Sequence, residues 1–255
     1  MQEIYEYREM IFSLVRRDLK GRYKNSLLGF FLTFLNLLLQ LLIYTFAFSV
    51  VMPMGIENYY MHLFVALIPW IFFSTCMTGG ARAIIDQQDM VKKIYFPRQI
   101  LPIAFVTSQF VNMLLSFVVV FAVLIISGMG INIKAILVLP GVMIVQYIFV
   151  LGIALACSAI SVYYRDMEQI FGILSVGLMY ASPIVYSMDS VPQEFHGVLN
   201  SNPMTVLIVA YRDILFYKRI PDLKDLFIVL LVSLCVVIVG WCVFEKLQRR
   251  FVEEF

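Results

Sequence analysis

Six apolar stretches, at about residues 27–52, 59–80, 103–127, 135–161, 169–188 and 226–244, limit what this chain can become more than any other feature. Hydrocarbon about 30 Å thick takes about 20 helical residues to cross, and every stretch is near or above that length. None of the six contains Asp, Glu, Lys or Arg. With 62% hydrophobic and 14% charged residues in 255, and a mean hydropathy of +0.89, the chain carries more apolar surface than a water-soluble domain of its length can bury. The surplus must face lipid. Barrel strands would show as ten-residue alternating segments, which are absent. The expectation is an all-α integral membrane protein with six transmembrane helices in a single domain, 1–255.

The charges between the stretches set its orientation. Placing the N-terminus in the cytoplasm puts fourteen of the nineteen Lys and Arg inside: those before residue 27, those from Arg82 to Arg98, Arg165, and those after residue 244. Lys134, Arg212, Lys218, Arg219 and Lys224 remain outside. The positive-inside rule therefore favours two cytoplasmic termini. The first stretch is too long for a cleavable signal and follows about 25 mixed-sign residues, so it is expected to stay as an anchor. Cys76, Cys157, Cys235 and Cys242 lie within apolar stretches at no ligand spacing, which suits packing rather than a disulfide or a metal site. Net charge +2 gives no sign of nucleic-acid binding.

Three segments are expected not to span. In 1–25, Ile4, Tyr7, Ile11, Leu14, Val15 and Leu19 recur at three- and four-residue steps opposite polar positions, predicting an amphipathic helix in the membrane surface. Its cations Arg16, Arg17, Lys20, Arg22 and Lys24 suit lipid headgroups or a phosphate-bearing substrate. Residues 81–98 form a charged cytoplasmic loop with Asp86, Gln87, Gln88, Asp89, Lys92 and Lys93, either a solvated connector or a docking element. The stretch 189–225 is too apolar around 203–218 for a free loop, yet Arg212 and Asp213 forbid an ordinary span. It reads as short external re-entrant helices, with those two charges at a water-facing mouth. The sixth span, 226–244, is followed by a cytoplasmic tail, 245–255.

Charge-free spans disfavour ion-driven transport and catalysis within the bilayer, both of which need ionisable groups at depth. His62 and His196 read as interfacial polar residues. Uncharged polar and aromatic faces suggest a path instead. At 100° per residue, Phe30, Phe34, Tyr44 and Phe48 of the first span point within about 40° of one direction, with Asn36 and Gln40 on the flank. Aromatic faces beside amides suit a sugar chain. In the fifth span Gly172, Ser175, Met179, Ser182 and Tyr186 share a stripe, which helix packing explains equally well. No G-x-x-x-x-G-K-[ST] loop is present, so any ATP that drives this chain binds elsewhere.

The non-spanning segments resemble those of one family. The carriers are Arg17-Asp18-Leu19-Lys20 with Arg22-Tyr23 and Ser26-Leu27-Leu28-Gly29, then Val91-Lys92-Lys93-Ile94-Tyr95-Phe96-Pro97 running to Leu101-Pro102. They continue with Tyr164-Arg165-Asp166, the Ser182-Pro183-Ile184 group with Tyr186 and Val191-Pro192, and Asn202-Pro203-Met204-Thr205 leading to Ala210 and Arg212. The chain resembles the permease subunits of ATP-binding-cassette exporters of bacterial cell-surface polysaccharides, the Wzm-type O-antigen and teichoic-acid permeases. It departs at Leu32 and Leu37, where the family often has Trp and Pro. The resemblance implies a non-enzymatic homodimer in the bacterial cytoplasmic membrane, with a central channel and polyprenyl-linked polysaccharide as cargo. It implies two copies of a soluble ATPase that carry ATP and Mg, no cofactor on this chain, contact of the ATPase with Asp86–Lys93, and an exit shaped by the external helices. Rival readings are a same-family exporter of a lipid, drug or other small molecule, and a membrane-embedded glycan or lipid transferase.

Overall fold

The computed structural model describes residues 5–23, 35, 38–51, 55–164 and 166–251, without the side chains of Arg22, Tyr23 and Arg250, and every regular element among them is helical. We number the main helices α1 (Arg8–Tyr23), α2 (Leu38–Val51), α3 (Tyr59–Arg82), α4 (Gln88–Lys93), α5 (Ile100–Ile126), α6 (Ile133–Tyr163), α7 (Met167–Tyr180), α8 (Gln193–Asn200), α9 (Pro203–Leu215) and α10 (Leu223–Leu247). Helices α3, α5, α6 and α10 are long and apolar enough to cross a membrane. The described part of the first stretch, α2, ends in a π-helical turn, Phe46–Val51.

Helix α3 is apolar on all sides, so it belongs inside. It packs against α5, α6, α7 and α9, and its residues from Met61 to Pro69 are all buried. Helix α10 lies along α6, and α1 lies along α5. The α6–α10 crossing depends on two glycines. A Cβ on Gly240 would stand 2.2 Å from the Gly152 carbonyl oxygen, and one on Gly152 would stand 2.6 Å from the Val237 nitrogen. Backbone therefore touches backbone, as small residues permit between helices in lipid.

Local signals fix where the later helices begin. The side chains of Asn132, Asn202 and Asp222 accept hydrogen bonds from the backbone N–H groups of Lys134, Met204 and Lys224. Each satisfies a donor that a helix start leaves without an intrahelical partner. Pro203 follows its cap at a position where a missing N–H is harmless.

Helix α7 stops short of the predicted span. It ends at Tyr180 after 14 residues, about 21 Å of helix, and 181–187 continue as turns. Pro183 explains the stop, because it has no N–H and its ring disfavours a helical residue before it.

Candidate functional site

At one end of the bundle, the loop end, an apolar cluster ties five segments together. Ile84, Val91 and Phe96 of the loop between α3 and α5 join Ile100 and Leu101 of α5, Leu155, Ala159 and Val162 of α6, and Phe244 and Phe251 at the C-terminal side of α10. Tyr7, just before α1, and Met10, Ile11 and Leu14 of α1 pack onto it. The predicted apolar face of α1 thus lies on protein, although Phe12 points outward. Asp18 shares the inward face and accepts a hydrogen bond from the buried Ser108 of α5. Arg16, Arg17 and Lys20 stand exposed. Lys24 lies outside the described residues, as does the side chain of Arg22. A cleft of about 140 Å³ separates α1 from the loop, lined by Leu14, Arg17, Asp18, Asp86 and Gln87 among others.

The six loop residues singled out from sequence fall on a 3-10 turn, Ile85–Gln87, and on α4. Asp86, Gln88, Asp89, Lys92 and Lys93 are exposed and Gln87 is half-buried. The sequence reading missed their neighbours. Between the inward anchors Val91 and Phe96, Ile94 and Tyr95 point to solvent, with Tyr95 95% exposed. Arg82 sits 3.3 Å from Asp86 and 3.5 Å from Glu168 in the first turn of α7, linking the loop to that helix. Arg98 donates to the Gln248 carbonyl. Partial burial lowers its pKa from the usual guanidinium value, opposed by Tyr95, and an arginine remains charged. Its signal in the sequence was a cation beside Pro97 and an apolar pair amid charges.

The opposite end, the arginine end, is built around Arg212. Its Nε donates to the His62 carbonyl at 3.2 Å, Nη1 to the carbonyls of Pro183 and of Tyr186 at 3.2 Å, and Nη2 to that of Ile184 at 2.5 Å. The turns after α7 supply three of these acceptors, since backbone that has left the helix has carbonyls to offer. The expectation of a solvated Arg212 is therefore corrected: it is 3% exposed, and carbonyl dipoles take the place of water. Asp213 is also buried and takes two bonds from Arg219 at 2.7 and 2.8 Å. Lys218, at φ +57, donates to the Met129 carbonyl and accepts from Asn132 at 2.8 Å, fastening the α9–α10 connection to the turn before α6. His62 is not interfacial but fully enclosed, between Tyr59 and Phe216. His196 meets the Val191 carbonyl at 2.9 Å.

Between the two ends runs a short polar chain. The Tyr211 hydroxyl donates to Gln146 Oε1 at 2.7 Å, and Gln146 Nε2 donates to the Pro69 carbonyl at 2.8 Å. It joins α9, α6 and α3 in apolar surroundings, where an unmet polar group is costly.

Phe30, Phe34 and Asn36 lie outside the described residues, while Gln40, Tyr44 and Phe48 are half-buried, the two aromatics resting on the main core. In the fifth stretch Ser175, Met179 and Ser182 are buried. Ser182 accepts from Asn202 at 2.9 Å and Tyr186 donates to the Tyr180 carbonyl at 3.1 Å. Helix α7, which carries most of this stripe, packs against α3, an approach that small residues permit. The outward face of α7 carries Ile173, Leu174, Val176 and Tyr180. The four cysteines form no disulfide among the described residues, and Cys235 and Cys242 are exposed on α10.

Long apolar helices with no ionisable side chain along most of their length, an exposed charged loop held from behind, and an arginine sealed among carbonyls at the other end make up a polytopic membrane protein. The chain belongs to the ABC-2 type transporter family, whose sequence profile matches residues 9–216. It is similar to the O-antigen export system permease protein RfbA of Myxococcus xanthus, 36% identical over 99% of this chain and 98% of that one. It is also similar to the protein of the same name from Klebsiella pneumoniae, 30% identical over 96% of this chain and 94% of that one.

Proposed function

We propose that this chain is the membrane half of an ATP-driven exporter, moving lipid-linked cell-surface polysaccharide outward across the bacterial cytoplasmic membrane. Two copies form the permease, and two copies of a soluble ATPase supply ATP hydrolysis. The observation that carries this reading is the end-to-end likeness to O-antigen export permeases, 36% identical over 99% of the chain. The absence of ionisable groups from the apolar stretches supports it, because a neutral polymer asks for no charged relay.

The geometry supports a division of labour. Exposed Asp86, Gln88, Asp89, Lys92, Lys93, Ile94 and Tyr95 form the surface on which the ATPase docks, and the loop's buried anchors carry its displacement to α1, α5, α6 and α10. Arg82 extends the same push to α7. Tilting of the first span and α7 then opens the path, lined by the face of Phe30, Phe34, Asn36, Gln40, Tyr44 and Phe48. Arg16, Arg17 and Lys20, with Arg22 and Lys24, meet lipid headgroups or the substrate phosphate. The loop end faces the cytoplasm. Joining α1 and the residues after α10 in one cluster supports both termini on that side and an even number of crossings. Helices α8 and α9 are then the re-entrant pair at the exit.

Deleting this chain in its own host tests the reading. Surface polysaccharide is expected to vanish while lipid-linked glycan accumulates inside, and both are restored when the chain returns with its ATPase. Unchanged surface polysaccharide in the deletion strain overturns it.

A further inference from the structure

We infer that the turn following α10, Gln248–Phe251, is a positioning element of the ATPase-docking loop, a clasp that holds Ile94 and Tyr95 in presenting order. The inference rests on the coupling role given above to that loop. It assigns work to a segment that the sequence marked only as a tail.

Three observations converge. Phe251 has 0% exposure, although it lies beyond the last long helix. Its ring packs edge-on to Phe244 at 5.6 Å and to Tyr163 at 6.2 Å, in one cluster with Val91 and Phe96 of the loop. Second, the backbone of the turn is held from two directions. Tyr163 of α6 donates to the Leu247 carbonyl at 2.7 Å, and Arg98 donates to the Gln248 carbonyl while its guanidinium lies 5.8 Å from the centre of the Phe251 ring. Third, the loop is pinned at both ends of a six-residue stretch. Val91 and Phe96 face in, and Lys92, Lys93, Ile94 and Tyr95 face out.

The physical consequence follows from that pinning. A six-residue helix has little stability of its own, so α4 keeps its place only through its inward anchors. Those anchors share a cluster with Phe251, and Arg98 fixes the loop's return to α5 against Gln248. An exposed Tyr held on a rigid base has the character of an interface anchor, since its backbone is ordered before the partner arrives. Loosening the base leaves the docking residues present but unplaced.

The test uses the full permease with its ATPase and the variants Phe251→Ala, Phe251→Leu and Tyr163→Phe. Amide hydrogen exchange over 88–98 is compared with ATP hydrolysis and with glycan exported per ATP. Phe251→Ala is expected to speed loop exchange at least tenfold and to lower export per ATP at least fivefold while the ATPase still co-purifies. Phe251→Leu, which keeps an apolar plug, is expected to restore most of both, and Tyr163→Phe to give a smaller loosening. If Phe251→Ala fails to accumulate, Tyr163→Phe carries the test. Unchanged loop exchange in the variants that accumulate overturns the clasp whatever the loop does. A loosened loop with undiminished export per ATP overturns the coupling reading beneath it.

Discussion

The two ends of the bundle handle charge in opposite ways. At the loop end the cations Arg16, Arg17, Lys20, Lys92 and Lys93 lie on the surface and apolar side chains hold the segments together. At the arginine end a guanidinium is sealed among four carbonyls, Asp213 is buried under Arg219, and Lys218 is spent on a turn. Exposed charges with a greasy backing suit a surface that must meet a partner, because they add selectivity and cost little when unpaired. Sealed charges suit a surface that must close on itself, since each is fixed by geometry and removal leaves its acceptors stranded. This also accounts for the cations that violate the positive-inside tally. Of the five, Arg212, Lys218 and Arg219 are structural ligands of the far end.

Substitutions at the arginine end should therefore cause the largest loss of stability. Arg212→Met is expected to cost about 3 kcal/mol or more, because several buried carbonyls lose their donor at once. Arg212→Lys should rescue little, as a single ammonium cannot reach acceptors spread around a planar fork. Thermal unfolding of the purified permease measures both. A near-native Lys variant would mean that charge alone, not the fork, holds this end.

Next comes the crossing that both ends share. Gly240→Val drives a side chain into the Gly152 carbonyl, backbone that cannot step aside, and should cost about 1–3 kcal/mol or more. A wild-type melting temperature would show that α6 and α10 separate freely. Tyr211→Phe is milder, expected at about 1 kcal/mol, because only the bond to Gln146 is lost. Full additivity with Arg212→Met would argue that the polar chain and the arginine site are independent.

The smallest effect on stability should accompany the largest on function. Asp86→Lys with Asp89→Lys alters exposed side chains and breaks the exposed Arg82–Asp86 pair, so it should cost no more than about 1 kcal/mol of stability. Export is nevertheless expected to fall sharply with the complex intact. Normal export from that variant would erase the contrast between the ends.

Much of this architecture was legible because lipid imposes few solutions. Apolar length alone located α3, α5, α6 and α10, and three- and four-residue steps located the packed face of α1. The short helices α8 and α9 fall where apolar content and Arg212 conflicted. What escaped notice depends on contacts distant in sequence. Nothing local to Arg212 says that its ligands sit at residues 62 and 183–186, so solvation was the natural expectation. The stripe through Ser175, Met179 and Ser182 has the same spacing whether it packs against another helix or lines a channel. Pro183 was the available sign that α7 would end early. Phe251 was passed over because its four-residue step from Leu247 sits in a short charged tail, where such spacing does not by itself mark a buried side chain.

The order of partners around the arginine end bears on how the protein is made. Arg212 takes its acceptors from His62, Pro183, Ile184 and Tyr186, and Lys218 bonds with Met129 and Asn132, so every one of them precedes its cation in the chain. Synthesis runs from the N-terminus, and earlier segments wait for later ones. The far end therefore stays open throughout insertion of the first helices. It is sealed only when residues 212–218 emerge, late in the birth of the chain.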